Sequence, residues 1–146
     1  MSRETLIFDS SVVGRVSWQG RGLRVDTRLV GNEVARFAAA SWAVSIVTIA
    51  EVRAGYRIGG WGSRRVTRAE LLLGAFVPLT IDDGDIEEWS RLMAAARSRG
   101  VKLSDNDLWI AATASSRGHA LVTCDRDHER IAAEMPVEVV YLAPPV

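Results

Sequence analysis

Short β-prone runs and segments of helical period take turns along this chain, and that alternation limits its fold more than any other feature. Apolar runs at residues 5–8, 42–47, 76–80, 119–123 and 137–142 are too short for stable helices and stop at polar or turn-forming residues. Between them the apolar residues recur at helical spacing. The pattern predicts helices over 27–40 (Leu29, Val34 and Phe37 on one side), from Thr48 onward (Ile49, Val52, Tyr56), over 64–75, 82–99 and 104–117, and a short one near 127–134. Glycines at 59, 60 and 62, and again at 100 and 118, supply the stops. Pro78 lacks the amide proton a central strand would use, so the third run belongs at a sheet edge. Strands alternating with helices through short connections predict an α/β fold with a mostly parallel sheet. In such sheets ligands bind just beyond the carboxyl ends of the strands.

Composition excludes several classes. With 146 residues, 48% hydrophobic and 25% charged, the chain reads as one globular domain over 1–146. No apolar run approaches the roughly 18 residues of a membrane span, so no membrane partner is expected. The start, Met1-Ser2-Arg3-Glu4, lacks the layout of a signal peptide, and the expected compartment is the cytoplasm. One cysteine, Cys124, rules out an internal disulfide and a cysteine-based zinc site. The net charge is zero but unevenly spread. Residues 1–75 carry 11 basic and 6 acidic side chains, and residues 76–146 carry 7 and 12. Of the 18 basic residues 17 are arginine, the side chain suited to bidentate phosphate contacts.

Four acids fall at the edge where chemistry is expected. Asp9 ends the first run and Asp125 follows the fourth. Glu51 opens the helix after the second run, and Asp107 opens the helix before the fourth. Each has a plainer reading: Asp9 as a helix cap, Glu51 as a first-turn acid offsetting the helix dipole, Asp125 as a turn residue. Ser104-Asp105-Asn106-Asp107 also fits a capping box with Asp107 at its third position. Jointly placed, the four favour a hard divalent cation, Mg²⁺ or Mn²⁺, which makes clustered carboxylates tolerable. Asp105 and Asp107 project about 200° apart on a helix, so only one faces a shared site. Asp107 is preferred because its face continues to the small Ala111 and Ala114. Asp125 is preferred over Asp127, which is left a supporting or capping role.

Four blocks then resemble a known family in order and spacing. They are Leu6-Ile7-Phe8-Asp9-Ser10-Ser11, Ser45-Ile46-Val47-Thr48-Ile49-Ala50-Glu51-Val52-Arg53-Ala54-Gly55, Asn106-Asp107-Leu108-Trp109-Ile110-Ala111-Ala112-Thr113-Ala114 and Leu121-Val122-Thr123-Cys124-Asp125. Together they are similar to the PIN domain, most closely to the toxin ribonucleases of VapBC-type toxin–antitoxin pairs, across residues 5 to about 142. The resemblance implies an α/β/α sandwich with an acidic metal site and a ligand or near-ligand role for Asp9, Glu51, Asp107 and Asp125. It further implies an Mg²⁺-dependent (or Mn²⁺-dependent) endoribonuclease acting on tRNA or rRNA, a homodimer, and inhibition by a cognate antitoxin. Asp105, Asp127, Ser10 and Thr123 are read as auxiliary.

Three places depart from the family pattern. Ser10 stands where threonine is frequent, 14–20 is less apolar than the usual opening helix, and His128 replaces a common phenylalanine with no evident effect on catalysis.

An acidic centre needs basic groups elsewhere to hold RNA. Residues 52–69 contain Arg53, Arg57, Arg64, Arg65 and Arg68 and no acid, a candidate surface for RNA phosphates or for the antitoxin. Trp42, Trp89 and Trp109 are expected in the core, and Trp61, between glycines, at a surface. A phosphoacceptor domain would need a lysine at a later strand end, and the only lysine, Lys102, precedes a helix. No P-loop motif occurs. A PIN nuclease of RNA maturation and a non-cleaving PIN-like binding module stay as alternatives.

Overall fold

The computed structural model describes residues 3–19, 22–26 and 30–144. Five strands form one all-parallel sheet: β1 (Thr5–Phe8), β4 (Ser41–Ser45), β5 (Val77–Leu79), β6 (Ala120–Thr123) and β7 (Val139–Tyr141), in the order β5-β4-β1-β6-β7. Register pairs Ile7 of β1 with Ala43 on one side and Leu121 on the other. Helices α1 (Ser10–Val13), α2 (Val34–Ala39), α3 (Ile46–Ile58), α4 (Ser63–Gly74), α5 (Asp83–Ser98) and α6 (Asp105–Arg117) accompany it, with 3₁₀ turns at Gly31–Glu33 and Arg126–Glu134.

Side-chain alternation along β1 explains the layers. Leu6 and Phe8 join a core on one face with Val44, Val122 and Val140; Ile7 joins the opposite core with Leu92, Leu108 and Leu121. A parallel strand covered on both faces needs apolar residues at every position, and residues 6–8 are fully buried. Phe8, Phe37, Trp42 and Phe76 stack together on the first face, with the Trp42 indole donating to the Phe37 carbonyl at 2.8 Å. On the second face the alanines of α6 let that helix pack closely, and Ile110 to Ala114 are all buried. The resulting helix–sheet–helix sandwich is the expected architecture. Among the described residues no helix is long and apolar enough to cross a membrane.

Several boundaries differ from the sequence reading. Two strands, β2 (Val16–Gln19) and β3 (Gly22–Val25), pair antiparallel where the apolar pattern predicts no strand. The opening helix stops at Val13 with Gly14 as its cap, and the low apolar content of 14–20 reflects this change of element. The helix expected over 27–40 is a 3₁₀ turn followed by α2, and its expected start at 27–29 lies outside the described residues. Helix α3 begins at Ile46 instead of Thr48, because the Ser45 hydroxyl accepts from the Val47 N–H and ends β4 early. Pro78 is on β5, an edge strand, as its missing donor requires.

The chain order fixes where a cleft opens. From β1 the chain moves outward to β4 and β5, then returns to β6 on the other side of β1 and continues to β7. Connections therefore diverge at the carboxyl ends of β1 and β6, the switch point where open α/β sheets hold ligands. Asp9 follows β1 and Asp125 follows β6.

Candidate metal centre

Asp9 is pinned before it can act on anything. As N-cap of α1 its Oδ1 accepts from the Ser11 and Val12 amides, and the Ser11 hydroxyl donates to the same oxygen at 2.5 Å. The Thr123 hydroxyl at the end of β6 donates to Oδ2, also at 2.5 Å. Thr123 in turn accepts from the Asp125 N–H, and Ser11 accepts from the Cys124 N–H. The capping reading of Asp9 and a role in the centre are thus both true of one side chain. Helix α1 carries the acid, and β6 fixes its second oxygen.

Asp107 arrives from the opposite layer. Ser104 caps α6 by accepting from the Asp107 N–H, while the Asp107 carboxylate lies 3.6 Å from His128. A strict capping box exists elsewhere, at Asp82 and Asp85, where both reciprocal bonds form. Asp125 caps the 3₁₀ turns by accepting from the Asp127 N–H, which brings Asp127 alongside. Among the described residues one group of acids has the spacing for a shared ion: Asp107, Asp125 and Asp127, with one oxygen from each all within 4.8 Å of one another. All three are half-buried. An all-carboxylate donor set suits a hard cation with oxygen preference.

The other candidates connect indirectly. Glu51 lies in the second turn of α3, since that helix starts early, so it no longer offsets the helix dipole. Its Oε1 accepts from the Ser10 hydroxyl at 2.6 Å, which ties it to the residue next to Asp9. Asp105 is exposed and borders a separate hollow beside Met93 and Leu103, on the side of α6 away from Asp107 that helical spacing predicts. Of the auxiliary hydroxyls, Thr123 serves Asp9 and Ser10 serves Glu51.

Sequence reasoning passes over His128. Its side chain is fully buried, and Nε2 stands 3.1 Å from Asp9 Oδ2 and 3.6 Å from Asp107 Oδ1. Neither ring nitrogen has a well-aligned hydrogen-bond partner. Burial alone would lower its pKa, but the Asp107 and Asp9 carboxylates outweigh this and raise it to about 9. The same contact holds the Asp107 carboxyl below its ordinary range, against the opposing effect of burial. The available signal is positional, a histidine directly after Asp125-Arg126-Asp127 on a face that must turn inward.

The arginines between 52 and 69 divide into two groups. Arg53 binds Glu70 through two hydrogen bonds of 2.9 and 3.2 Å, and Tyr56 donates to the same carboxylate. Glu70, one residue past the acid-free window, therefore removes Arg53 from the unpaired set. Arg57, Arg64, Arg65 and Arg68 form no salt bridge among the described residues. Arg65 lies over the Trp61 ring at 3.8 Å, a cation–π contact. Both it and Arg68 border a groove of about 1080 Å³, which runs to Ser10 and Glu51 over Val13, Tyr56 and Leu72.

Comparison with known proteins finds relatives of this chain. A family model described as the PIN domain matches residues 23–134. Ribonuclease VapC4 of Mycobacterium tuberculosis is 38% identical over 107 residues, covering 72% of this chain and 80% of the relative. Ribonuclease VapC5 of the same organism is 30% identical over 121 residues, covering 82% and 84%. Among solved structures, a member of the VapBC family of toxin–antitoxin systems, VapBC-5 from Mycobacterium tuberculosis, superposes with a TM-score of 0.68 at 25% identity. That match covers 94% of this chain and 98% of the other.

Proposed function

The chain belongs to the PIN-domain family, and on that premise we propose that it is a metal-dependent endoribonuclease, the toxin of a type II toxin–antitoxin pair, acting in the cytoplasm. The observation that carries the reading is the convergence of Asp107, Asp125 and Asp127 at the switch point, with Asp9 held beside them through His128. The relatives' names, both ribonucleases, and the solved toxin–antitoxin neighbour support the same class.

In this reading Asp9 and Asp107 are the principal ligands for Mg²⁺ or Mn²⁺, and Asp125 with Asp127 completes the shell. A bound divalent ion would polarise the scissile phosphate and acidify a water. Glu51, held by Ser10, faces the same edge and orients the attacking water or a second ion. Ser11 and Thr123 keep Asp9 from rotating away when no ion is present. Arg57, Arg64, Arg65 and Arg68 supply the positive field that the acidic centre lacks. The groove beside them is mainly apolar, which suits an apolar segment of the cognate antitoxin reaching toward Glu51. The toxin itself acts as a homodimer, and tRNA and rRNA are the substrate classes.

Cleavage of structured RNA in Mg²⁺ or Mn²⁺, with chelator as control, tests the proposal. Asp9→Asn and Asp107→Asn are each expected to lower the rate by at least a hundredfold while the protein stays folded. Full activity in a folded Asp107→Asn variant refutes it.

A further inference from the structure

Any account of the acidic centre has to explain a fully buried imidazole between two of its carboxylates. A buried polar ring with no aligned partner is costly, so its placement calls for a compensating role. His128 sits on the 3₁₀ turns directly after Asp125 and Asp127, while Asp9 and Asp107 come from opposite layers of the sandwich. The ring's Nε2 lies near the carboxylates of both Asp9 and Asp107.

We infer that His128 is a positioning residue: its Nε2, 3.1 Å from Asp9 Oδ2 and 3.6 Å from Asp107 Oδ1, pairs with both carboxylates and sets the separation at which the two acids meet a divalent ion. The inference rests on the metal-dependent reading above and adds a residue to it. Thr123 and Ser11 already fix Asp9, so the ring's main effect falls on Asp107. Asp107 is held at its backbone by the Ser104 cap, and its carboxylate has Ser104 and the His128 ring as neighbours. Groups that orient metal ligands in this way change metal affinity by about 10–100-fold when removed.

Two variants separate the polar contact from the shape. His128→Phe keeps a ring of similar size without the N–H, and His128→Gln can place an amide N–H close to the Nε2 position. Manganese binding to each folded protein is measured by electron paramagnetic resonance, with no RNA present. Wild type is expected to bind, His128→Phe at least tenfold more weakly, and His128→Gln within about threefold of wild type. Unchanged or tighter binding by His128→Phe overturns the inference, as does equal weakening in both variants. Those outcomes leave the nuclease reading intact. A wild-type chain that cuts RNA without binding manganese or magnesium removes the metal-dependent reading and this one with it.

Discussion

Removing the carboxylate of Asp85 should destabilise the protein severely, because that group joins the two helices beneath the acidic edge. The side chain is completely buried. Its Oδ2 pairs with Arg117 at 2.9 Å and accepts from the Asp82 N–H at 3.0 Å, while Oδ1 accepts from the Ser116 hydroxyl. Helix α5 is thereby bonded to the last turn of α6, the helix whose first turn holds Asp107. Breaking one partner of a buried pair costs about 3–5 kcal/mol. Arg117 keeps the Thr80 carbonyl and the more distant Asp82, at 3.5 Å, so the lower half of that range applies.

Asp85→Ala is therefore expected to lose about 3–4 kcal/mol, a fall in melting temperature of roughly 10–15 °C for a chain this long. Asp85→Asn keeps an acceptor and should lose about half as much. Burial would raise the pKa of Asp85, but Arg117, the Ser116 hydroxyl and the Asp82 amide together lower it. A carboxyl lowered in the folded state contributes stability that is complete above its unfolded value, near 3.9, and is lost as pH falls through the folded value. Urea denaturation of wild type and Asp85→Asn should thus give a constant gap above about pH 4 that narrows at lower pH. A loss below about 1 kcal/mol for Asp85→Ala, or a gap that widens on acidification, refutes the reasoning.

Two further outcomes follow from the same structure. Gly118 closes α6 at φ 70°, with open space around its missing side chain, so Gly118→Ala should cost about 1–2 kcal/mol from backbone strain alone; an unchanged urea midpoint contradicts this. Replacing Arg65 and Arg68 by alanine should weaken RNA binding and flatten its dependence on salt, by about 0.7 in the logarithmic slope for each phosphate no longer neutralised. Binding titrations across a salt series check it, and parallel slopes for variant and wild type would place the RNA elsewhere.

The strands, the long helices and the edge where acids gather are all legible from local pattern. Residues 6–8 are apolar at three successive positions, which only a strand covered on both faces requires. Asp82 and Ser104 announce helix starts, and Gly118 an end. Where local signals compete, the pattern is less decisive. The chain from Ile46 to Thr48 is apolar and β-branched, equally suited to extending a strand or opening a helix, and the Ser45 cap settles it. The pair β2 and β3 lies where a departure from the usual helix is visible, but its strands have partners that the pattern does not name.

The acids themselves show the same division. Sequence places Asp9, Glu51, Asp107 and Asp125 at one edge because strand ends and helix starts share it by topology. It prefers Asp125 to Asp127 and does not show that both join Asp107, since both belong to one turn and only the direction of that turn brings Asp127 beside Asp107. Nor does it reveal Glu70 as the partner of Arg53, a pairing made by the packing of α4 against α3.

What this chain determined by itself is the class of its architecture and the residue types gathered at its edge, because periodicity and capping act over a few residues. What only the folded structure decided is which of those side chains touch. His128 faces Asp107 and Asp9, which precede it in the chain by 128 − 107 = 21 and 128 − 9 = 119 residues. Contacts at that range depend on how whole layers settle against the sheet, and no local preference encodes them.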